Sequence, residues 1–250
     1  MPTSQAKTLV FVPTYEERDN VRPMLAEIVR AAPHSDVLFI DDNSPDGTGQ
    51  ILDELAKGEP RLKVIHRAGK LGIGGAHQDG IAYAYDNGYE VLVTLDCDFT
   101  HTPADIPMLL ETSVNVDIAV GSRFLEDDSL PGWHIIRKLL TNVGHVLTVN
   151  MLGISADATG AFRVYNLTRI PREMFGLVKA RGYAFFFESL FVACQNDLRI
   201  AEFPIRLPAR ASGHSKMTLR EIQRSIAQLF RLLIANRTNP GQFRIAKPGR

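Results

Sequence analysis

Only two cysteines occur in the 250 residues, Cys97 and Cys194, and neither belongs to a CxxC pair or a Cys/His cluster. A disulfide framework and a structural zinc site are thereby excluded, and a reducing cytosol is the expected compartment. Apolar runs are broken by charges well before the roughly 18 residues that a bilayer-spanning helix needs. Met1 to Thr8 has no apolar stretch of the kind a secretory leader carries. A membrane role is therefore expected to be peripheral or borrowed from a partner. Net charge is also missing, with 28 Lys and Arg against 28 Asp and Glu. Without a global positive field, a non-specific nucleic-acid binder is excluded. Repeats with a period of about 20 to 50 residues and low-complexity tracts are absent too.

What remains is a chain of 27.7 kDa with 45% hydrophobic and 22% charged residues. That size and composition suit one large α/β core, alone or with a short appendage. Apolar and β-branched runs at Thr8 to Val12, Asp36 to Ile40, Lys63 to His66, Val91 to Leu95 and Asp117 to Val120 predict buried strands. Helical segments at Val21 to Ala31 and Gly49 to Lys57 alternate with them, which predicts a parallel sheet with right-handed crossovers. Beyond about residue 125 the pattern changes. An amphipathic stretch over Ile135 to Leu152 comes first, then a turn-rich segment around Asp157 to Tyr165, then a helix over Phe185 to Asn196. In the tail, Leu219, Ile222, Ile226, Leu229 and Leu233 form an apolar stripe, and Arg220, Arg224 and Arg231 recur at spacings of four and seven. From Thr218 onward seven Lys or Arg face one acid, Glu221. Two readings stand: a membrane-surface helix, or a core helix with solvated arginines.

Two acidic clusters follow apolar strands. Asp96 and Asp98 flank Cys97 where the fourth run ends, and hard carboxylate oxygens there suit Mg²⁺ or Mn²⁺ bridging to a diphosphate. The competing reading is a pair of loop acids capping the helix after Pro103. His101 beside them is a metal ligand, a phosphate donor or a merely hydrogen-bonded ring. In the second cluster, Ser44, Asp46 and Thr48 are expected to satisfy backbone amides of a turn. The adjacent Asp41 and Asp42 repel unless donors or cations lie close. The glycines of Lys70-Leu-Gly72-Ile-Gly74-Gly75 fit neither a Walker A loop nor a dinucleotide fingerprint. They are expected to let the chain pass close to a sugar or a neighbouring strand. Arg123, Arg137, Arg163, Arg210 and Lys216 read as loop cations placed where phosphate would suit them.

Together these residues resemble glycosyltransferase family 2, enzymes of the GT-A fold, in the branch that mannosylates polyprenyl or dolichyl phosphate. The matching motifs are Val12-Pro-Thr-Tyr15-Glu-Glu17, Ile40-Asp-Asp-Asn-Ser-Pro-Asp-Gly-Thr48, Lys70-Leu-Gly-Ile-Gly74, Leu95-Asp-Cys-Asp-Phe-Thr-His-Thr-Pro103 and Gly121-Ser-Arg-Phe124. Gly132-Trp133, Arg137-Lys-Leu-Leu-Thr141, Asp157-Ala-Thr-Gly-Ala-Phe-Arg163-Val-Tyr165, Gly182-Tyr-Ala-Phe185-Phe-Phe-Glu188 and Arg210-Ala-Ser-Gly213-His-Ser-Lys216 continue the likeness into the second half. The acceptor assignment rests on these later motifs.

The resemblance implies a mostly parallel nucleotide-binding sheet flanked by helices over residues 1–217, split into a nucleotide-sugar half (1–124) and an acceptor half (125–217). An amphipathic basic helix and tail (218–250) would follow. It implies that Pro13, Tyr15, Glu17, Asp41 and Asp42 hold guanosine, with Glu17 on the ribose. Asp96, Cys97, Asp98, Arg210 and Lys216 would complete the donor site, with Asp96, Asp98 and Thr100 toward Mg²⁺ or Mn²⁺. Arg123, Arg137 and Thr141 would surround the lipid phosphate, and Asp98, Arg123, Arg137 and Arg210 would carry catalysis. Glu16 stands where asparagine is usual in the family, Cys97 where alanine is usual, and Thr100 and Thr141 where serine or another polar residue is common. The implied reaction is inverting transfer of mannose from GDP-mannose to a polyprenyl monophosphate. Two alternatives are a UDP-glucose donor and a catalytically idle nucleotide-sugar-binding subunit. The expected setting is the cytosolic face of a membrane, held there peripherally, with room for a separate membrane-anchoring protein.

Overall fold

The computed structural model describes residues 6–208 and 218–246. The first half alternates strand and helix: β1 (Thr8–Thr14), α1 (Val21–Ala31), β2 (Asp36–Asp41), α2 (Thr48–Gly58), β3 (Leu62–His66), α3 (Ile73–Asp86), β4 (Val91–Thr94), α4 (Ile106–Thr112) and β5 (Ile118–Ser122). The second half adds α5 (Ile135–Leu152), β6 (Arg163–Asn166), α6 (Arg172–Gly176), α7 (Ala184–Gln195), β7 (Ile200–Pro204) and α8 (Leu219–Thr238). Every strand and helix expected from the pattern is present, with ends shifted by a residue or two. Missing from those expectations are α3, whose first turn holds two glycines, the short α6 and the two late strands.

The strands form one sheet in the order β3-β2-β1-β4-β6-β5-β7. All pairings are parallel except those of β6, which runs against β4 and β5. Because successive side chains in a strand point to opposite faces, the sheet builds two cores. Leu9, Phe11, Leu38, Ile40 and Leu92 face α3, α7 and α8. Val10, Val12, Val37, Phe39 and Val93 face α1, α2 and α4. Strands buried on both faces are why the early runs read as continuously apolar rather than alternating.

The segment expected as turns around Asp157 to Tyr165 contains β6, and its register matters. Arg163 lies opposite Thr94 of β4 and Val120 of β5. An antiparallel strand enters where its parallel neighbours leave, so the loop of residues 156–162 arrives at their carboxyl ends. Arg163 itself corrects an expectation. It is not a loop cation but a wholly buried one, donating to the carbonyls of Ala158, Gly160 and Phe186 and to Ser189 Oγ. With its donors taken by protein acceptors, it ties β6 to α7 and does not serve phosphate.

Thr218 Oγ1 caps α8 by accepting from the Glu221 amide at 3.3 Å, and the T-x-x-E spacing fixes where the helix starts. The apolar tail stripe does not behave as one buried face. Of its residues Leu229 is buried, together with Leu232 beside the stripe, whereas Leu219 and Ile226 are exposed. Glu188, buried in α7, anchors this arrangement by accepting from the amides of Lys179 and Ala180 and from Gln228 of α8. No helix among the described residues is long and apolar enough to cross a membrane.

Candidate active site

The carboxyl ends of β1, β2, β4 and β5 lie along one edge of the sheet, the edge where open α/β sheets bind ligands. The loops leaving β1, β2 and β4 each hold one non-glycine residue at positive φ: Glu16 (55°), Asn43 (56°) and Phe99 (58°). Such conformations cost energy and persist where surrounding structure enforces them, commonly at functional loops.

The loops after β1 and β2 interlock through the residues expected to serve the turn. Ser44 Oγ accepts from the Glu16 amide at 2.9 Å, Thr48 Oγ1 from the Glu17 amide at 3.0 Å and Asp46 Oδ2 from the Arg18 amide at 3.2 Å. Asp46 also accepts from the amide and hydroxyl of Thr48. Burial pushes the Asp46 carboxyl up, but the Thr48 and Arg18 hydrogen bonds pull it further down, below the usual carboxylate range.

Asp41 and Asp42, both buried, each have their own donors. Asp41 accepts from the Ser44 amide (2.9 Å), Ser44 Oγ (2.5 Å) and Thr14 Oγ1 (3.3 Å). Asp42 accepts from Arg67 Nη1 at 2.5 Å and the Leu71 amide at 3.1 Å. These donors offset the repulsion between the two adjacent carboxylates. Sequence reasoning missed Arg67, whose pairing across 25 residues leaves no local signal. Asp42 also pins the start of the glycine-rich segment, whose Lys70 Nζ sits 4.0 Å from the centre of the Tyr15 ring. The glycines allow a close approach, to a loop rather than to a strand. At Gly72, with φ of 93°, an added Cβ would stand 2.6 Å from the Arg181 carbonyl oxygen. Pro13 lies on β1 opposite Ile40, and Glu17 accepts from Asn20 Nδ2 at 2.6 Å.

The aspartate pair after β4 is shaped by its own loop. The Asp96 amide donates to His101 Nδ1 at 3.1 Å, so the buried His101 braces the turn, and that nitrogen is occupied. Asp98 is buried and accepts from the Thr100 amide at 3.1 Å and Thr100 Oγ1 at 2.6 Å. Thr100 therefore orients Asp98, while Cys97 between the two acids points into the core. No group of three or more His, Cys, Asp or Glu that could hold a metal occurs among the described residues.

From β5, Arg123 donates through Nε and Nη2 to Asp157 at 2.7 and 2.6 Å, with Thr159 Oγ1 as a further acceptor. Arg137 on α5 sits over Trp133, its guanidinium carbon 3.6 Å from the ring centre. Thr141 follows one turn later, placing both side chains on one face of α5. Arg210 and Lys216 lie outside the described residues.

The model of glycosyl transferase family 2 matches residues 9–167, from β1 through β6. The chain belongs to glycosyl transferase family 2. It is 35% identical over 213 residues to the undecaprenyl-phosphate mannosyltransferase of Micrococcus luteus, covering 85% of this chain and 88% of that one. It is 33% identical over 228 residues to the polyprenol monophosphomannose synthase of Mycolicibacterium smegmatis, covering 89% and 86%. Among solved structures it resembles glucosyl-3-phosphoglycerate synthase from Mycobacterium tuberculosis, solved with Mn²⁺, UDP and glucosyl-3-phosphoglycerate. The TM-score there is 0.65 at 17% identity, covering 94% of this chain and 80% of that one. The fold of this glycosyltransferase is thus GT-A, a mostly parallel sheet flanked by helices.

Proposed function

We propose that this glycosyltransferase moves mannose from GDP-mannose to a polyprenyl monophosphate, inverting the anomeric centre to give a β-linked lipid-phosphate mannose. The observation that carries the reading is the similarity to two enzymes named for joining mannose to a polyprenyl phosphate, at 35% and 33% identity over 85% and 89% of this chain. In this reading Pro13, Tyr15, Glu17, Asp41 and Asp42 receive the guanosine. Arg137 and Thr141 seat the acceptor phosphate from α5. Arg123 serves the same anionic region, and Arg210 and Lys216 join from outside the described residues.

A divalent ion fits the donor set. Asp96 and Asp98 offer hard carboxylate oxygens from one short loop, and Mg²⁺ or Mn²⁺ commonly takes one or two carboxylates and completes its shell with phosphate oxygens and water. When bound, the ion would neutralise charge on the departing GDP. Thr100 and His101 hold the loop that presents those carboxylates.

The acceptor chemistry explains why no general base is required. A phosphomonoester has a second pKa of about 6, so the nucleophile is already an anion at neutral pH. The harder task is bringing that anion up to a diphosphate, and arginines with planar forks are suited to it. In this reading Arg137, resting on the Trp133 ring, is held ready for a phosphate oxygen. The work is placed at the cytosolic face of a membrane, with the chain held peripherally.

The test is transfer of labelled mannose from GDP-mannose to a detergent-dispersed polyprenyl phosphate, with and without divalent ion and beside UDP-glucose. Metal-dependent mannosyl lipid is expected. Glucosyl lipid formed from UDP-glucose in preference would overturn the donor, and binding without turnover on either donor would overturn the reaction.

A further inference from the structure

Over Ile135 to Val146 the helix α5 is built inside out. At about 100° per residue, Arg137, Thr141, His145, Thr148 and Leu152 share one side, which is turned toward the protein body. Thr148 and Leu152 are buried, and the His145 ring stacks on Phe124 at 3.8 Å. Ile135, Leu139, Leu140, Val143 and Val146 lie on the opposite side, and all five are exposed, Ile135 at 76% and Leu139 at 61%. A water-soluble helix has the reverse pattern, apolar inward and polar outward. The adjoining α8 repeats the feature. Leu219, Ile226, Phe230 and Ile234, at spacings of seven, four and four, form a stripe that stays exposed, while Leu229 and Leu232 face the core. Nine of the thirteen exposed large hydrophobic side chains among the described residues lie on these two helices. Exposed apolar side chains gathered in this way on two neighbouring helices mark a surface that something covers.

Charge indicates what covers it. The whole chain is neutral, yet beside these stripes, leaving aside the inward-turned Arg137, α5 and α8 carry Lys138, Arg220, Arg224, Arg231 and Arg237 against the single acid Glu221. A second copy of this chain would set these rows of arginine against one another, a repulsive arrangement for a self-complementary contact. An anionic lipid surface answers both properties, receiving the apolar stripes below its headgroups and the arginines among them.

We propose that α5 and α8 form one lipid-docking face, with Leu139, Val143, Phe230 and Ile234 entering an anionic bilayer. This places α5 at the water–lipid boundary, its apolar side in the membrane and its Arg137–Thr141 side toward the sheet. It rests on the proposed function in one respect only, that a phosphate at the bilayer surface is the acceptor those two residues meet.

The full chain is mixed with sedimentable vesicles of phosphatidylcholine, with or without phosphatidylglycerol, and compared with a Leu139→Glu/Phe230→Glu variant. Both positions are exposed, so the melting temperature is expected to hold. The parent should partition to the phosphatidylglycerol vesicles, less so at high salt, and the variant should lose roughly a hundredfold in partitioning. Transfer to a short water-soluble prenyl phosphate should survive in the variant, while transfer to vesicle-embedded long-chain acceptor falls. Parent protein left in the supernatant, a variant that sediments as well as the parent, or a dimer that the two substitutions dissolve would overturn the proposal. Vesicle binding without any transferase activity would leave the docking face standing and remove the proposed reaction instead.

Discussion

Arg123 and Asp157 meet as a buried fork, two parallel N–H···O bonds of 2.7 and 2.6 Å joining the end of β5 to the loop that precedes β6. Asp157 is fully buried, and its own amide donates to Glu202 of β7 at 2.9 Å. The pair fixes the direction of Arg123 at the ligand-binding edge of the sheet. An arginine held this way contributes charge from a set position rather than searching for it with a flexible side chain.

Removing one partner should therefore cost more than the pair itself contributes. Asp157→Ala leaves a buried guanidinium uncompensated and is expected to destabilise the fold by about 3 to 5 kcal/mol. For a chain of this size that lowers the melting temperature on the order of 10 °C, readable by scanning calorimetry. Burial pushes the Asp157 carboxyl up, but Arg123 pulls it further down, to below the usual carboxylate range. Because the folded value is depressed, the stabilisation is present above the ordinary carboxylate pKa of about 4 and lost only as pH falls through the lower folded value. A melting temperature within about 2 °C of the parent at pH 7 would refute the assignment.

How much of this was legible in the residues follows from how local each feature is. The strands β1, β2 and β4 announce themselves as apolar runs, and Asp41, Asp96 and their neighbours fall at the ends where such sheets bind ligands. The turn role of Asp46 was equally readable, since it accepts from the Thr48 amide two residues on, whereas Ser44 and Thr48 turn out to serve the Glu16 and Glu17 amides of a loop distant in sequence. Arg163 was misjudged because its acceptors are carbonyls of segments that only the folded chain assembles. The Arg67–Asp42 and Arg123–Asp157 pairs were invisible for the same reason. Periodicity identified α5 as amphipathic but not that its polar side turns inward, because periodicity has no sense of which side meets the core.

His77 on α3 is wholly buried among Phe11, Phe185 and Phe186, and neither ring nitrogen has a hydrogen-bond partner. Burial first, then the charge of Arg163, pushes its pKa down to about 3. Below the ordinary value of about 6.5 the unfolded chain takes up a proton that the folded chain refuses, so stability falls as the solution is acidified. Between pH 7 and 5 the decline attributable to His77 approaches about 1.4 kcal/mol per pH unit. Urea unfolding of His77→Leu should show that part of the slope removed. Its stability at pH 7 should be equal or higher by about 1 kcal/mol, since an unpaired polar ring is replaced by an apolar side chain. Identical pH slopes in the two proteins would sink the prediction.

Asp98 is tied on one oxygen to Thr100, so Asp98→Asn should preserve the loop while removing the charge. Turnover is expected to fall about a thousandfold or more, with a smaller loss in GDP affinity by calorimetry. Chelation of divalent ions should lower the parent's turnover in the same way and leave the variant's residual rate unchanged. A variant within tenfold of the parent would place the metal elsewhere.

Arg137 tests the acceptor side through a distinction that charge alone does not make. Its guanidinium lies 3.6 Å over Trp133, a contact that a flat delocalised cation makes well and an ammonium group makes poorly. Arg137→Lys keeps the charge but loses both the stacking and the fork, while Arg137→Ala loses everything. If the arginine seats the lipid phosphate, kcat/KM for that substrate should drop by roughly ten- to a hundredfold in the lysine variant and further in the alanine variant. KM for GDP-mannose should stay within about twofold in both, because the loops after β1 and β2, which the proposed function gives to the donor, are untouched. A lysine variant equal to the parent would mean that charge suffices and that Trp133 has no role in orientation. Parallel losses for donor and acceptor would instead move Arg137 to the diphosphate.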